Sequence, residues 1–302
     1  MLTVPESVLE RFRAFSLYNS PYSAHDDGSA IDCYPGPDRS STATHAPSPV
    51  AGTVVAIEQV RAPSKPYAPP HDYLIAIDTG GVVVGPDFRT EDGSAPIARI
   101  LHVDPTVSVG DRVAAGDDLG DPIRAGFFAP WVGHHLHVGF RHTDDDILRA
   151  AGSRPLRPGV DVEPVAWDGT GTVVETGDTY AVLDQPRHPD PGECFAGIGA
   201  TLELDDGTEE SVALDGGLAH YDHGGILPEC DRPTGASVSI LSEQIGTTTS
   251  RSIEWSQPTV SVNGTPIEGL SFAAVRDDLG AKLICPELSL SVGERVRVDV
   301  EV

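Results

Sequence analysis

Apolar residues along this chain recur mostly at every second position. They fall in short runs separated by Gly-, Pro- and Asp-rich stretches, a pattern that predicts strands joined by turns. In the first half the runs are 30–34 (AIDCY), 52–60 (GTVVAIEQV), 72–78 (DYLIAID), 97–103 (IARILHV) and 134–141 (HHLHVGFR). Two segments break the alternation. Thr3 and Glu6 precede Val8, Leu9, Phe12 and Phe15 at near-helical spacing, which predicts a short capped helix. Residues 143–152 (TDDDILRAAG) predict a second, with aspartates at its N-terminal end and Gly152 at its stop. The Pro-rich stretch 61–71 and the stretch 85–96 read as surface excursions, and the turn-rich run 152–165 as a linker. From residue 166 alternating runs continue to the end at a spacing that suggests an antiparallel sandwich. The pattern therefore predicts an all-β chain of two domains. Residues 1–160 form a β-sheet domain led by a short helix, and residues 161–302 a β-sandwich-like domain.

Charge narrows the partners. The chain has 302 residues, 46 acids against 20 bases and a formal net charge of −26; Lys65 and Lys282 are its only lysines. Nucleic-acid backbones and anionic lipid surfaces both select cationic patches, so neither is an expected partner. Residues 161–302 carry 7 bases and 26 acids (−19), and residues 1–160 carry 13 and 20 (−7), so most of the acidity lies in the second domain. Such a lysine-poor, Asp-rich composition is similar to that of proteins from extreme halophiles, where it serves solubility in salt. No apolar run reaches signal-peptide or membrane-span length, so the expected location is cytoplasmic. Cys33, Cys194, Cys230 and Cys285 show no CxxC spacing; buried free thiols are the default, with a Cys194–Cys230 bridge as the alternative.

The chemistry lies in the histidines. GHHLHVGFR places His135 and His137 on one face of a strand, about 7 Å apart. Two imidazoles do not complete a metal site, since catalytic zinc takes three protein ligands and keeps an open position. Upstream, HDDGSAIDCYP offers His25 and Asp32. Tyr34 follows on Asp32's face, and Trp131 precedes the H-L-H strand as either a wall of the site or a core residue. His220 and His223 form an H-x-x-H near Cys230, which reads as hydrogen-bonded turn residues or as a second metal site.

The order of the pieces is more specific than any one of them. His25…Asp32 is followed by Pro49-Val50-Ala51-Gly52-Thr53-Val54, then by a His102-bearing strand that leads into VSVGDRVAAGDDLG (107–120), and last by His135-Leu136-His137. Over about residues 20–141 this series resembles the lysostaphin-type, or LytM-like, zinc metalloendopeptidases. The resemblance implies a LytM-like (duplicated hybrid motif) β-sheet domain holding Zn²⁺. It implies His25, Asp32 and His137 as ligands and His102 and His135 as non-ligand catalytic histidines. Six residues separate His25 from Asp32, where that family has three. Asp26 and Asp27 are thus alternative carboxylates, and Asp32 is preferred because AIDCY reads as strand and Gly28 supplies the turn before it.

The implied activity is cleavage of peptide bonds by a metal-activated water, with a peptide or peptide-containing polymer as substrate. The alternative is a peptidase-like binding or scaffold protein without catalysis. The same hairpins resemble biotinyl and lipoyl carriers, but no lysine stands at a hairpin tip to bear the cofactor.

Overall fold

A computed structural model describes residues 1–36, 43–80, 95–228 and 233–302. Strand accounts for 47% of the residues and helix for 3%, so the all-β expectation holds. The chain forms two compact units: Met1–Phe15 with Ser29–Val160, and Ser16–Gly28 with Asp161–Val302. Among the described residues no helix is long and apolar enough to cross a membrane.

The first unit is built on an antiparallel sheet. Its strands run in the order Ala30–Tyr34, Leu136–Arg141, Ile97–Leu101, His71–Asp78, Gly52–Arg61 and Arg112–Val113. Leu74–Ile77 and Ile97–Ile100 are buried without interruption, so the middle of the sheet is covered on both faces. Register sets up the chemistry. His137 lies opposite Asp32 on one side and opposite Leu101 on the other, and His102 follows Leu101 directly. The run 97–103 does not stay one strand. It breaks at His102, whose φ of 74° is left-handed, and resumes as Val103–Pro105 paired with Gly120–Pro122.

Local expectations fail where backbone groups find non-local partners. The N-terminal helix is a single turn, Glu6–Leu9, because Leu2–Pro5 pairs in parallel with Leu156–Gly159. That pairing also removes part of the expected linker, and Val162–Val165 adds a strand parallel to Phe195–Ile198. The second expected helix, 143–152, is a series of turns. Two arginines from the sheet take the carbonyls that a helix would need. Arg141 donates to the carbonyls of Asp146 (2.5 Å), Arg149 (2.7 Å) and Ala151 (2.8 Å), and Arg99 Nε donates to that of Ile147 (2.5 Å). Hydrogen bonds from a charged donor contribute about 1.5–3 kcal/mol each. Arg141→Ala is therefore expected to lower the urea unfolding free energy by about 3 kcal/mol or more. An unchanged midpoint would mean that the loop holds itself. The excursion predicted for 85–96 lies largely outside the described residues, as does Cys230 with its pairing to Cys194. Cys33 and Cys285 are free and buried.

In the second unit six antiparallel strands close on themselves. The circuit is Phe195–Glu203, Glu209–Leu218, His223–Leu227, Ile253–Trp255, Glu243–Thr248 and Ser237–Ile240, which pairs back to Phe195–Glu203. Closure leaves the barrel no free edge. Leu202, Leu214, Val238, Ile245 and Ile253 are fully buried in it. Glu209–Leu218 also pairs with Gly269–Phe272, which carries the sheet on through Lys282–Ile284, Tyr180–Leu183 and Thr170–Thr176.

His220, in the turn after the Glu209–Leu218 strand, has both ring nitrogens screened from solvent. Burial pushes its imidazole down to about 4, against the pull of a hydrogen bond to Leu218. Unfolded, it takes a proton near pH 6.5. Its contribution to stability is therefore complete above that value and lost as pH falls from about 6.5 to about 4, on the order of 3 kcal/mol. Urea midpoints should drop across that window, and drop less in His220→Gln. Equal slopes in the two proteins would contradict the assignment.

Candidate metal centre

Asp32 and His137 meet across paired strands. His137 Nδ1 stands 3.0 Å from Asp32 Oδ1, and His135 Nε2 stands 3.4 Å from Asp32 Oδ2. The carboxylate is almost fully buried and thus lies between two imidazoles. His135 donates its Nδ1–H to the carbonyl of Gly133 at 3.0 Å, which leaves the lone pair on Nε2. Burial pushes the His135 imidazole down to about 4, although the Asp32 charge pulls it up; His102 and His137 add to the downward push. His135 is therefore neutral at neutral pH.

His102 has a different commitment. Its Nδ1–H is held by Asp72 Oδ2 at 2.5 Å and its backbone N–H by Asp72 Oδ1 at 3.0 Å. Asp72 Oδ1 also accepts the N–H of Tyr73 at 2.8 Å. Asp72 is fully buried on the strand that pairs with Ile97–Leu101, the strand His102 follows. Burial pushes its carboxyl up, but the His102 charge and the three hydrogen bonds outweigh this and hold it below the usual carboxylate range. A left-handed backbone at a non-glycine residue costs about 1–3 kcal/mol, and the two bonds from Asp72 hold His102 there. Aromatic rings close the surroundings. Phe128 stacks on His135 at 4.4 Å between centroids and meets His102 edge-on at 4.7 Å. Tyr34 lies 5.2 Å from His135, and His102 and His135 are 5.0 Å apart, ring to ring.

His25 sits in the single helical turn Ser23–Asp26, and Gly28, with φ of +63°, ends the segment as the sequence suggested. This turn absorbs the extra residues between His25 and Asp32. Asp26 is half exposed and its Oδ1 stands 3.3 Å from His223 Nε2, so it is engaged elsewhere. His25 is buried, and its Nδ1–H donates to the carbonyl of Leu17 at 2.6 Å, which turns Nε2 into the available ligand atom.

His25, Asp32 and His137 each offer one ligand atom, and the three atoms lie within 4.8 Å of one another. Among the described residues this is the one group of three or more such side chains that could hold a metal ion; the second site read at His220 and His223 includes Cys230, which lies outside the described residues. The donor set fits a divalent ion of borderline softness such as zinc: two imidazole nitrogens and one carboxylate, with three protein ligands. The 3.0 Å between His137 Nδ1 and Asp32 Oδ1 is near the spacing of about 3.3 Å between two ligands placed about 2.0 Å from one tetrahedral ion. His25 also has the carbonyl partner that a ligating histidine requires at its other nitrogen.

All five residues singled out in the sequence are described, and Asp32, His102, His135 and His137 lie in one cluster. Sequence reasoning missed Phe128; for Asp72 it offered only the position of His71-Asp72 before the DYLIAID strand, as a border of the cleft, and no partner.

The family model described as the domain of unknown function DUF8155, N-terminal domain, matches residues 3–158, and that of the DUF8155 C-terminal domain matches residues 163–301. No curated protein and no solved structure matches the chain.

Proposed function

We propose that this chain, which belongs to the DUF8155 family, is a zinc-dependent hydrolase of peptide bonds, with His25, Asp32 and His137 holding the ion. The observation that carries the reading is one cluster with a three-residue ligand group and two further imidazoles whose Nδ1–H groups are committed to different acceptors. A zinc ion with three protein ligands keeps a position open, polarises a carbonyl and acidifies water.

The chain's own residues handle the protons. His135, neutral and with its lone pair on Nε2, accepts a proton from water at that atom and later gives it to the leaving amine. His102 gives Nδ1–H to Asp72, whose buried carboxylate fixes the ring and favours positive charge on it; when the ring takes up a second proton, its Nε2–H is a donor for a developing oxyanion. Phe128, against both rings, limits the water around them. The resemblance to lysostaphin-type peptidases supports the same division between ligands and proton-handling histidines.

The test is a quenched-fluorescence peptide library assayed in high salt, with chelator and with zinc restored. Cleavage should require zinc. His102→Ala and His135→Ala should lower kcat about 10²–10⁴-fold with metal content unchanged. Zinc-loaded protein that cleaves nothing would favour a metal-binding scaffold, and activity that survives both substitutions would refute the proton roles.

A further inference from the structure

We infer that Asp215, in the barrel, is a positioning residue for His25, one of the three residues of the candidate ligand group. The inference rests on the reading of His25 as a ligand. Asp215 is fully buried on the Glu209–Leu218 strand. Its Oδ1 accepts the hydroxyl of Ser16 at 2.5 Å, and its Oδ2 accepts the N–H of Leu17 at 2.6 Å and of Tyr18 at 3.2 Å. The carbonyl of Leu17 accepts Nδ1–H of His25 at 2.6 Å. That carbonyl and the N–H of Tyr18 belong to one planar peptide group, so fixing the N–H fixes the direction of the carbonyl. The result is a continuous chain of carboxylate, peptide and imidazole. Each bond polarises the next, and the negative end makes His25 Nε2 a better donor to a cation.

The rest of the segment is tied to the barrel domain on both sides of His25. Asn19 donates its side-chain amide to Ser271 Oγ (2.8 Å) and the Phe272 carbonyl (3.1 Å), and Tyr18 donates its hydroxyl to the Arg251 carbonyl (2.9 Å). The Tyr18 ring occupies space that a Cβ on Gly225 would invade, at 2.0 Å from the ring. Arg251 in turn donates to the carbonyl of Asp27 at 2.8 Å.

The experiment measures zinc affinity of the full-length protein by competition with a chromophoric chelator, for wild type, Asp215→Asn, His25→Ala and the double variant. We expect one zinc per wild-type chain and a loss of about 10–100-fold in Asp215→Asn, the size seen for partners behind a ligand. His25→Ala should lose more, and adding Asp215→Asn to it should change nothing further. A folded Asp215→Asn protein with wild-type affinity would overturn the inference. So would an equal loss in the His25→Ala background, since Asp215 would then act on the fold in general. If Asp215→Asn does not fold, Ser16→Ala, which removes one bond from the same junction, carries the comparison with a smaller loss read against the same two outcomes. Wild-type protein that binds no zinc would instead refute the proposed function, and this inference with it.

Discussion

Asp32→Ala is expected to abolish stoichiometric zinc binding, with affinity falling at least about 100-fold. Among the described residues Asp32 is the only carboxylate in the candidate ligand group, so it would supply the only negative charge of that group facing a bound dication. A loss of this size exceeds the 10–100-fold typical of a partner behind a ligand, because here the ligand itself is removed. Asp32→Asn separates charge from shape. It keeps a carbonyl oxygen at nearly the same place but removes the charge, and it too should bind zinc far more weakly than wild type. Chelator competition measures both. Near-wild-type affinity in either variant would mean that Asp26, Asp27 or another group supplies the carboxylate.

Asp72→Ala should cost the fold about 3–5 kcal/mol, the range for breaking one side of a buried charged pair. It strips an acceptor from three donors: the backbone N–H groups of His102 and Tyr73 and the Nδ1–H of His102. It also removes what holds His102 in its left-handed conformation. Because Asp72 is held below the ordinary carboxylate value in the folded chain, its contribution is present above about pH 3.9 and lost as pH falls through that value towards its lower folded-state pKa. Asp72→Asn should flatten that part of the acid limb of stability against pH. Chemical unfolding at several pH values reads both effects, and a wild-type acid limb in Asp72→Asn would show that the pair carries no such energy.

The difference between Asp32 and Asp72 marks how far the sequence could be read. Asp32, His102, His135 and His137 were legible because each stands in a local motif and the motifs occur in an informative order. Asp72 carries no motif. Its partner is 30 residues away, and only the pairing of two strands brings the carboxylate to His102. Asp215 and Ser16, 199 residues apart, are a stronger case of the same kind. The all-β character was legible from alternation alone, since it is a local property. Closure of six strands into a barrel was not, because it depends on which strand pairs with which. The expected helix at 143–152 failed for a related reason. Its aspartates and Gly152 are sound local signals, yet side chains from Arg99 and Arg141 reach in from the sheet and take its carbonyls.

The most direct test of the central claim is the metal content of folded, purified protein in high salt, for wild type and for His137→Ala. The account predicts about one zinc per wild-type chain and none retained by the variant. Zinc absent from wild type, even after zinc is added back to the folded protein, would contradict it and leave the histidine cluster a structural feature.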